Sequence, residues 1–370
     1  MFHRFFPTLK RSLSHLRLLP FFTGLVLSLF LSWGCAQVSN SENPQASSPE
    51  TPSEVSTSDT DATAAENYTV TLVGASPSGL WSLLGAGVDM AVKTAYPGST
   101  VTYQTSGGGF ANIPLLETGQ AELGLAHDAE LLMAREGQPP FEQPIESTRV
   151  LATLYTWAPM QVAVRKEFAD QYGISTLQDL ARTQAPARIA LNKRGVVISD
   201  ISLQMLEEAG VTEESLKSWG GDLVYAASSE QATLMQDRRI DIMTNAVFAG
   251  HSSFTQAGES LDLVMLPLDD GTIQTLADGT GSQPFQVPAN TYSWQPDEVS
   301  TFAISASLIV DESMSNEDAY NLTKAIYENY DKVAEVHAAM KALTPEVMAS
   351  NTVVPYHEGA IQYLQEAGLL

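Results

Sequence analysis

The sequence predicts an α/β fold, because strand and helix patterns alternate along residues 68–370. A β-rich run at 68–75 (YTVTLVGA) ends in a Gly/Ser/Pro turn, and 80–95 then has the apolar spacing of a helix. This order recurs at short intervals, which is typical of parallel sheets covered by helices. The length of 370 residues corresponds to roughly two domains at about 150 residues each.

The same patterns give an expected order of elements. Predicted strands lie at 68–75, 99–106, 121–127, 149–155, 160–166, 188–192, 222–227, 239–246, 261–268 and 301–310. Predicted helices lie at 80–95, 110–119, 176–181, 198–211, 229–238, 316–343 and 359–370. Residues 269–298 are rich in Gly, Pro, Asp and Gln, so we expect irregular structure there.

Composition excludes several functional classes. The chain has 19 basic and 43 acidic residues, a formal charge of −24, which argues against nucleic-acid binding. Its single cysteine excludes a disulfide framework and a cysteine-built zinc site. HExxH, GxSxG and a strand-linked GxGxxG are absent from the sequence, so we expect no enzyme, no metal and no cofactor.

Residues 1–35 read as an export signal. Residues 1–17 are basic, and the apolar run 21–33 is shorter than the about 20 residues that span a bilayer. Cys35 follows Gly34 and resembles the lipidated cysteine of a bacterial lipobox, although Ser32 stands where Leu is usual. A plain signal peptide or a retained anchor are the alternatives, and each of the three exports the remaining chain. Residues 36–67 are polar and acidic, and they predict a disordered tether.

Candidate ligand-binding residues lie in the turns that follow predicted strands, where open α/β sheets bind ligands. Hydroxyl and backbone N–H groups in the first two turns suit an anion, and glycines allow close approach. Trp81 fits either the core or a ligand face. The residues of these two turns are Ser76, Ser78, Gly79, Trp81, Ser106, Gly107, Gly108 and Gly109.

Later turns add further candidates. His127 and Asp128 suit a metal or acid–base role, or simply hydrogen bonding and capping. Lys193 and Arg194 form a basic pair in a strongly acidic chain and either select an anion or lie in a solvated turn. Asn245 and Tyr292 complete the set, as side chains that line a cleft or brace a crossover.

Taken in order, these turns resemble the solute-binding proteins of tripartite ATP-independent periplasmic (TRAP) transporters, in the TAXI branch. The resemblance covers 68–370 and departs from the family at 193–196, where Lys-Arg-Gly-Val replaces small residues. The segments that carry it are 73–88 (VGASPSGLWSLLGAGV), 96–141, 149–166, 287–310, 321–333 and 357–368 (HEGAIQYLQEAG).

The resemblance implies a type II periplasmic-binding-protein fold with two α/β lobes and two hinge crossings. Lobe 1 is then 68–160 with 299–370, and lobe 2 is 161–298. It also implies that Trp81 packs on the ligand, and that the ligand is a small carboxylate of the glutamate or 2-oxoglutarate class. The expected protein is a periplasmic or cell-surface monomer that contacts a membrane through its lipid and delivers a small organic anion to a TRAP-type permease.

Three other functions stay open at this stage. The same fold serves receptors of ABC importers and of two-component sensors. An extracytoplasmic enzyme would use His127 and Asp128. A purely structural surface protein would leave the chemistry of the turns without a purpose.

Overall fold

The computed structural model of the chain describes residues 67–77 and 79–370. The predicted leader with Cys35, the tether up to residue 66 and the predicted ligand-binding residue Ser78 lie outside the described residues. Within 67–77 and 79–370, no helix combines the length and the apolar character needed to cross a membrane.

Ten strands form one mixed sheet. They are β1 (Thr69–Val73), β2 (Thr100–Gln104), β3 (Leu123–His127), β4 (Thr148–Arg165), β5 (Arg188–Leu191), β6 (Asp222–Tyr225), β7 (Ile242–Ala246), β8 (Leu263–Met265), β9 (Gln283–Val287) and β10 (Val299–Asp311). The strand order is β2-β1-β3-β10-β4-β7-β5-β6, with β8 paired to β4 and β9 paired to β10.

Helices surround this sheet and connect its strands. They are α1 (Leu80–Ala95), α2 (Gly109–Glu117), α3 (Asp128–Glu136), α4 (Lys166–Tyr172), α5 (Gln178–Thr183), α6 (Val197–Glu208), α7 (Glu213–Ser218), α8 (Ser228–Gln236), α9 (Ser252–Ala257), α10 (Asp270–Thr280), α11 (Asn316–Glu328), α12 (Tyr330–Ala334), α13 (Pro345–Met348) and α14 (Glu358–Glu366), with a 3-10 turn at Ala338–Ala342.

The sheet has two halves that share the long strand β4. In the first half, β1 pairs in parallel with β2 and β3, and β10 runs antiparallel between β3 and the beginning of β4. In the second half, β5 pairs in parallel with β6 and β7, and β7 and β8 run antiparallel to the end of β4. Parallel strands joined by helices place the strand ends of each half at one edge.

The chain passes between the halves along β4 and β10. These strands are bonded to each other where they cross, because the Thr301 hydroxyl donates a hydrogen bond of 2.6 Å to the Met160 carbonyl. Thr301 and Met160 are both buried, so this bond is shielded from water. It lies close to the two crossings predicted from the sequence, near 160 and 299. The lobe boundaries themselves stay a prediction.

The α/β class predicted from the sequence is confirmed, and two local expectations are wrong. The segments 149–155 and 160–166 are one strand, β4, because buried residues continue through Pro159. Residues 269–298 are not irregular throughout, since they contain α10 and β9. The helical segment expected at 316–343, for which one break was allowed, is interrupted at Asn329, between α11 and α12, and finishes as a 3-10 turn.

We expect Thr301→Val to lower the free energy of unfolding by about 1–3 kcal/mol, because the buried Met160 carbonyl loses its donor without a change in side-chain shape. Urea unfolding followed by circular dichroism measures this change. Thr102→Val, at an exposed position of β2, is the matched control. Equal stability of the two variants would contradict a structural role for the Thr301 bond.

Candidate ligand-binding site

A cavity of about 230 Å³ opens between the two halves of the sheet. Its walls are mainly apolar, and the charged or polar side chains among them are few. Its lining residues are Ala75, Gly79, Leu80, Trp81, Gly107, Gly108, His127 and Glu130 from the first half, and Asn192, Val196, Val197 and Ile198 from the second half.

Four helices begin at this cavity. Helices α1, α2 and α3 start from the first half and α6 from the second half. The residues that precede α1, α2 and α6 are Gly79, Gly108 and Val196, none of which has a side-chain acceptor for the first N–H groups. The start of a helix carries a partial positive charge, so the cavity favours oxygen atoms of an anion.

The side chain of Asn112 holds three of these starts together. It is 0% exposed, and its amide nitrogen donates hydrogen bonds of 3.0 Å to the Gly74 carbonyl and 2.7 Å to the Leu125 carbonyl. The residue after β1 and the middle of β3 are therefore both bonded to α2. The Ser106 hydroxyl joins the same cluster, because it contacts the Gly74 carbonyl and accepts from the Gly108 N–H at 3.1 Å.

Two positions in the second turn require glycine for structural reasons. Gly108 has a φ of +92°, in the region that favours glycine. A Cβ added at Gly109 would overlap the Glu130 carboxylate, so glycine lets that carboxylate lie against the first turn of α2. The start of α2 is thus already occupied by an acidic side chain of the protein itself.

A chain of hydrogen bonds runs along the first-half wall. The Trp81 indole donates to the Tyr155 hydroxyl at 3.1 Å, and that hydroxyl lies 3.3 Å from His127 Nε2. His127 Nδ1 lies 3.2 Å from Glu130 Oε2, which also accepts from the His127 backbone N–H at 2.9 Å. The Trp81 and His127 rings are in contact, with centroids 4.8 Å apart.

The Tyr155 hydroxyl is the central link of this chain. Burial raises the pKa of Tyr155, so its hydroxyl keeps its proton at neutral pH. Because that hydroxyl accepts from Trp81, its own proton is available for Nε2 of His127. The contact of 3.2 Å between His127 Nδ1 and Glu130 Oε2 then ends the chain at the carboxylate.

The second-half wall is held by a pair of amides. Asn192 Nδ2 donates to Asn245 Oδ1 at 3.1 Å, and Asn245 Nδ2 donates to the Ser228 hydroxyl at 2.7 Å. Asn245 is fully buried, so it positions Asn192 at the cavity without lining it. These bonds fix the turn between β5 and α6.

The structure brings together Gly79, Trp81, Gly107, Gly108 and His127 of the predicted set at one cavity. Ser106, Gly109 and Asn245 support its walls from behind. Ser76 is exposed and does not line the cavity.

Other predicted residues lie elsewhere. Lys193 and Arg194 are exposed beside the cavity, and the Arg194 guanidinium stacks over the Tyr225 ring at 3.6 Å. Asp128 is the buried first residue of α3 and does not line the cavity. Tyr292 belongs to a separate cluster, where its hydroxyl donates to Gln161 at 2.7 Å and its ring stacks on Trp294.

Sequence reasoning missed four residues that shape the cavity: Asn112, Glu130, Tyr155 and Asn192. Glu130 had a recognisable pattern, because an acid three residues after a helix cap accepts the cap N–H. Asn112 and Tyr155 act through contacts distant in sequence, which no local pattern indicates.

Comparison with known proteins identifies the family. Residues 72–368 match the NMT1-like family, and the chain belongs to it. That family description does not specify the TAXI branch, so the narrower assignment stays a prediction.

Solved structures of solute-binding proteins are similar to the chain at low identity. The alkanesulfonate-binding protein SsuA from Xanthomonas axonopodis pv. citri, bound to MOPS, is 14% identical, covers 82% of this chain and 92% of its own, and has a TM-score of 0.42. MatC from Rhodopseudomonas palustris, with bound malate, is 14% identical, with coverages of 76% and 93% and a TM-score of 0.46. A TctC solute-binding protein from Polaromonas is 13% identical, with coverages of 82% and 98% and a TM-score of 0.44. TM-scores below 0.5 transfer no ligand or partner to this chain.

We expect Asn112→Ala to destabilise the protein by about 2–5 kcal/mol, because the buried Leu125 carbonyl loses the amide donor and the Gly74 carbonyl keeps only the Ser106 hydroxyl. The loss is measured by urea unfolding, with Asn316→Ala at an exposed position as the control. An unfolding free energy within about 0.5 kcal/mol of the unmodified protein would show that Asn112 does not hold the strand ends together.

We expect Asp128→Asn to stabilise the protein above pH 6 by about 1–3 kcal/mol. Burial raises the pKa of Asp128 from 3.8 to about 6, and the charge of His127 and a hydrogen bond from Ser305 offset this in part. The folded state therefore holds the Asp128 proton more tightly than the unfolded chain does. Stability should fall as pH rises from about 4 to 6, and the variant should lack this decline.

Melting temperatures between pH 4 and pH 8 measure the effect of Asp128→Asn. Asp297→Asn, at an exposed position, is the control for loss of one negative charge. A stability difference between Asp128→Asn and the unmodified protein that is constant across this pH range would contradict the assignment.

Proposed function

We propose that the protein is an extracytoplasmic receptor that binds a small organic anion between the two halves of its sheet. One observation carries the proposal: α1 and α6 begin on opposite walls of one cavity, each preceded by a residue without a side-chain acceptor. A carboxylate placed there would accept backbone N–H groups from both walls at once.

The size and lining of the cavity support a small ligand with an apolar body. Its volume of about 230 Å³ is below that of sites for drug-sized molecules, which begin at roughly 300 Å³. Trp81 and the aliphatic side chains of Leu80, Val197 and Ile198 would contact the carbon skeleton of the ligand. No lysine or arginine lines the cavity among the described residues, so the attraction for an anion would come from backbone dipoles.

The proposal includes a hinge motion. The walls of the cavity belong to different halves, which β4 and β10 connect, so a ligand that contacts both walls favours the closed arrangement. Lobe 1 would be 68–160 with 299–370, and lobe 2 would be 161–298. Lys193 and Arg194, which adjoin Asn192 at the rim, would approach the ligand on closure.

The remaining parts of the proposal concern cellular context. The leader and Cys35 would export the chain and attach it by a lipid to a bacterial membrane. The closed receptor would deliver its ligand to an ion-gradient-driven TRAP-type permease of the TAXI branch. Membership of the NMT1-like family over residues 72–368 is compatible with this role and with delivery to an ABC importer.

We expect a panel of small carboxylates to include one that raises the melting temperature and changes tryptophan fluorescence, because a ligand of the folded state stabilises it. Trp81→Phe should abolish the fluorescence change and weaken binding by about tenfold, since the indole lines the cavity and donates to Tyr155. Trp294→Phe should preserve both, because Trp294 stacks on Tyr292 in a separate cluster.

Failure of every small carboxylate and amino acid in the panel to bind would refute the proposed function. A ligand whose fluorescence change disappears in Trp294→Phe and survives in Trp81→Phe would place the binding site outside this cavity.

A further inference from the structure

An aromatic cluster lies beside the cavity, where the two halves of the sheet meet. Phe248 follows β7 of the second half, whereas Tyr155 and Trp157 are on the part of β4 that pairs with β10 in the first half. His337 lies between α12, which packs against α1, and the 3-10 turn. The Trp157 indole donates to the Ala339 carbonyl at 2.9 Å, so β4 is tied to that turn. One ring of the second half therefore lies among three rings of the first half.

Phe248 contacts all three of these rings. Its centroid lies 5.1 Å from that of Tyr155, in an edge-to-face arrangement. It lies 6.3 Å from the centroid of Trp157 and 6.5 Å from that of His337, with an interplanar angle of 26° in both pairs. Aromatic pairs at separations of about 4.5–7 Å add stability beyond that of the buried area. The cluster therefore provides an attraction between the halves that involves no ligand.

The cluster lies on the cavity side of the crossing between the halves. Val247 is attached to that crossing, because its N–H donates to the Pro159 carbonyl at 3.2 Å and its carbonyl accepts from the Gln161 side chain at 2.7 Å. Phe248 comes next, beyond the carboxyl end of β7. That strand runs parallel to β5, and Asn192 follows the same end of β5 at the cavity. A movement that separates the cavity walls would therefore draw Phe248 away from the rings of the first half.

The cluster also contacts the cavity wall from behind. Tyr155 is buried, and its ring contacts Phe248. Its hydroxyl lies between two lining residues, since it accepts from Trp81 and contacts His127. Phe248 is half-buried and is not among the residues that line the cavity. Its influence on a ligand would therefore act through Tyr155 and through the position of the second half.

We propose that Phe248 is a positioning residue, which holds the two halves in the arrangement that forms the cavity before a ligand binds. This inference rests on the hinge motion of the proposed function and is independent of the identity of the ligand. When the binding-competent arrangement is more populated in the free receptor, the apparent affinity is higher, because binding then includes a smaller conformational change. A ring outside the cavity would thus control how much ligand is needed to fill it.

The test measures the distance between α1 and α6 in dialysed protein without added ligand. Spin labels at Ala86→Cys and Gln204→Cys, which are exposed positions of these helices, report the separation of the cavity walls by pulsed electron paramagnetic resonance. Cys35→Ser removes the single native thiol from this doubly labelled parent. We expect Phe248→Ala to lengthen and broaden the distance distribution, because the second half loses its ring contacts with the first.

Two further variants separate a contact between the halves from a general loss of ring packing. Phe141→Ala removes an aromatic contact within the first half, to Phe110 at 5.8 Å, and should leave the distance unchanged. His337→Asn removes the ring that stacks on Phe248 and keeps an acceptor for the Ala339 N–H, which His337 Nδ1 now accepts at 3.1 Å. It should lengthen the distance by a smaller amount, and it tests the proposal if Phe248→Ala does not fold.

The affinity is measured by titration calorimetry with a carboxylate that binds the unmodified protein. We expect Phe248→Ala to bind this probe about tenfold more weakly, which corresponds to the loss of aromatic contacts between the halves. Phe141→Ala should bind it as the unmodified protein does.

The outcomes distinguish this inference from the receptor proposal. A distance distribution that is the same in Phe248→Ala, His337→Asn and the labelled parent would overturn the role of Phe248. Equal lengthening in Phe141→Ala would also overturn it, since the change would then reflect general loosening of the protein. None of these distances depends on whether a carboxylate binds, so failure of the whole ligand panel would count against the receptor function alone.

Discussion

The amide of Asn112 is the interaction on which the candidate site depends. With two hydrogen bonds it joins Gly74, directly after β1, and Leu125, in the middle of β3, to the first turn of α2. Because β1 and β3 continue toward α1 and α3, this one side chain helps to bring the starts of α1, α2 and α3 together. Because the group is fully buried, its hydrogen bonds do not compete with water and cannot be replaced by it.

Sequence reasoning predicted the fold class and most of the strands because both depend on local pattern. Apolar alternation and turn residues identify β1, β2 and β3 without any knowledge of their neighbours. The same reasoning failed for β9 and α10, because Gly, Pro and Asp usually indicate loops. The tertiary contacts that order β9 and α10 cannot be seen in the sequence. It also divided β4 at a Trp-Ala-Pro sequence that the structure keeps extended between two neighbouring strands.

The candidate site could be predicted in position but not in chemistry. Strand-end turns pointed to Gly79, Gly107, Gly108 and His127, all of which line the cavity. Of the partners of His127, Glu130 follows a local capping pattern, whereas Tyr155 could not be foreseen, because it is 28 residues away along the chain. The basic pair at 193–194 seemed the natural source of positive potential in an acidic protein. Arg194 stacks on Tyr225 beside the cavity, and helix starts at the cavity add positive potential without a formal charge.

The continuity of β4 has a mechanical consequence. If loose linkers joined the two halves, the halves could move relative to each other in many directions, and ligand binding would have to remove that conformational freedom. Here β4 and β10 form a hydrogen-bonded ribbon, in which the Thr301 hydroxyl donates to the Met160 carbonyl where the halves meet. A ribbon of this kind twists more readily than it bends, so the proposed movement of the halves would be mainly torsional. The stiffness of that torsion, set by residues remote from the cavity, would then contribute to apparent affinity as directly as the groups that touch the ligand.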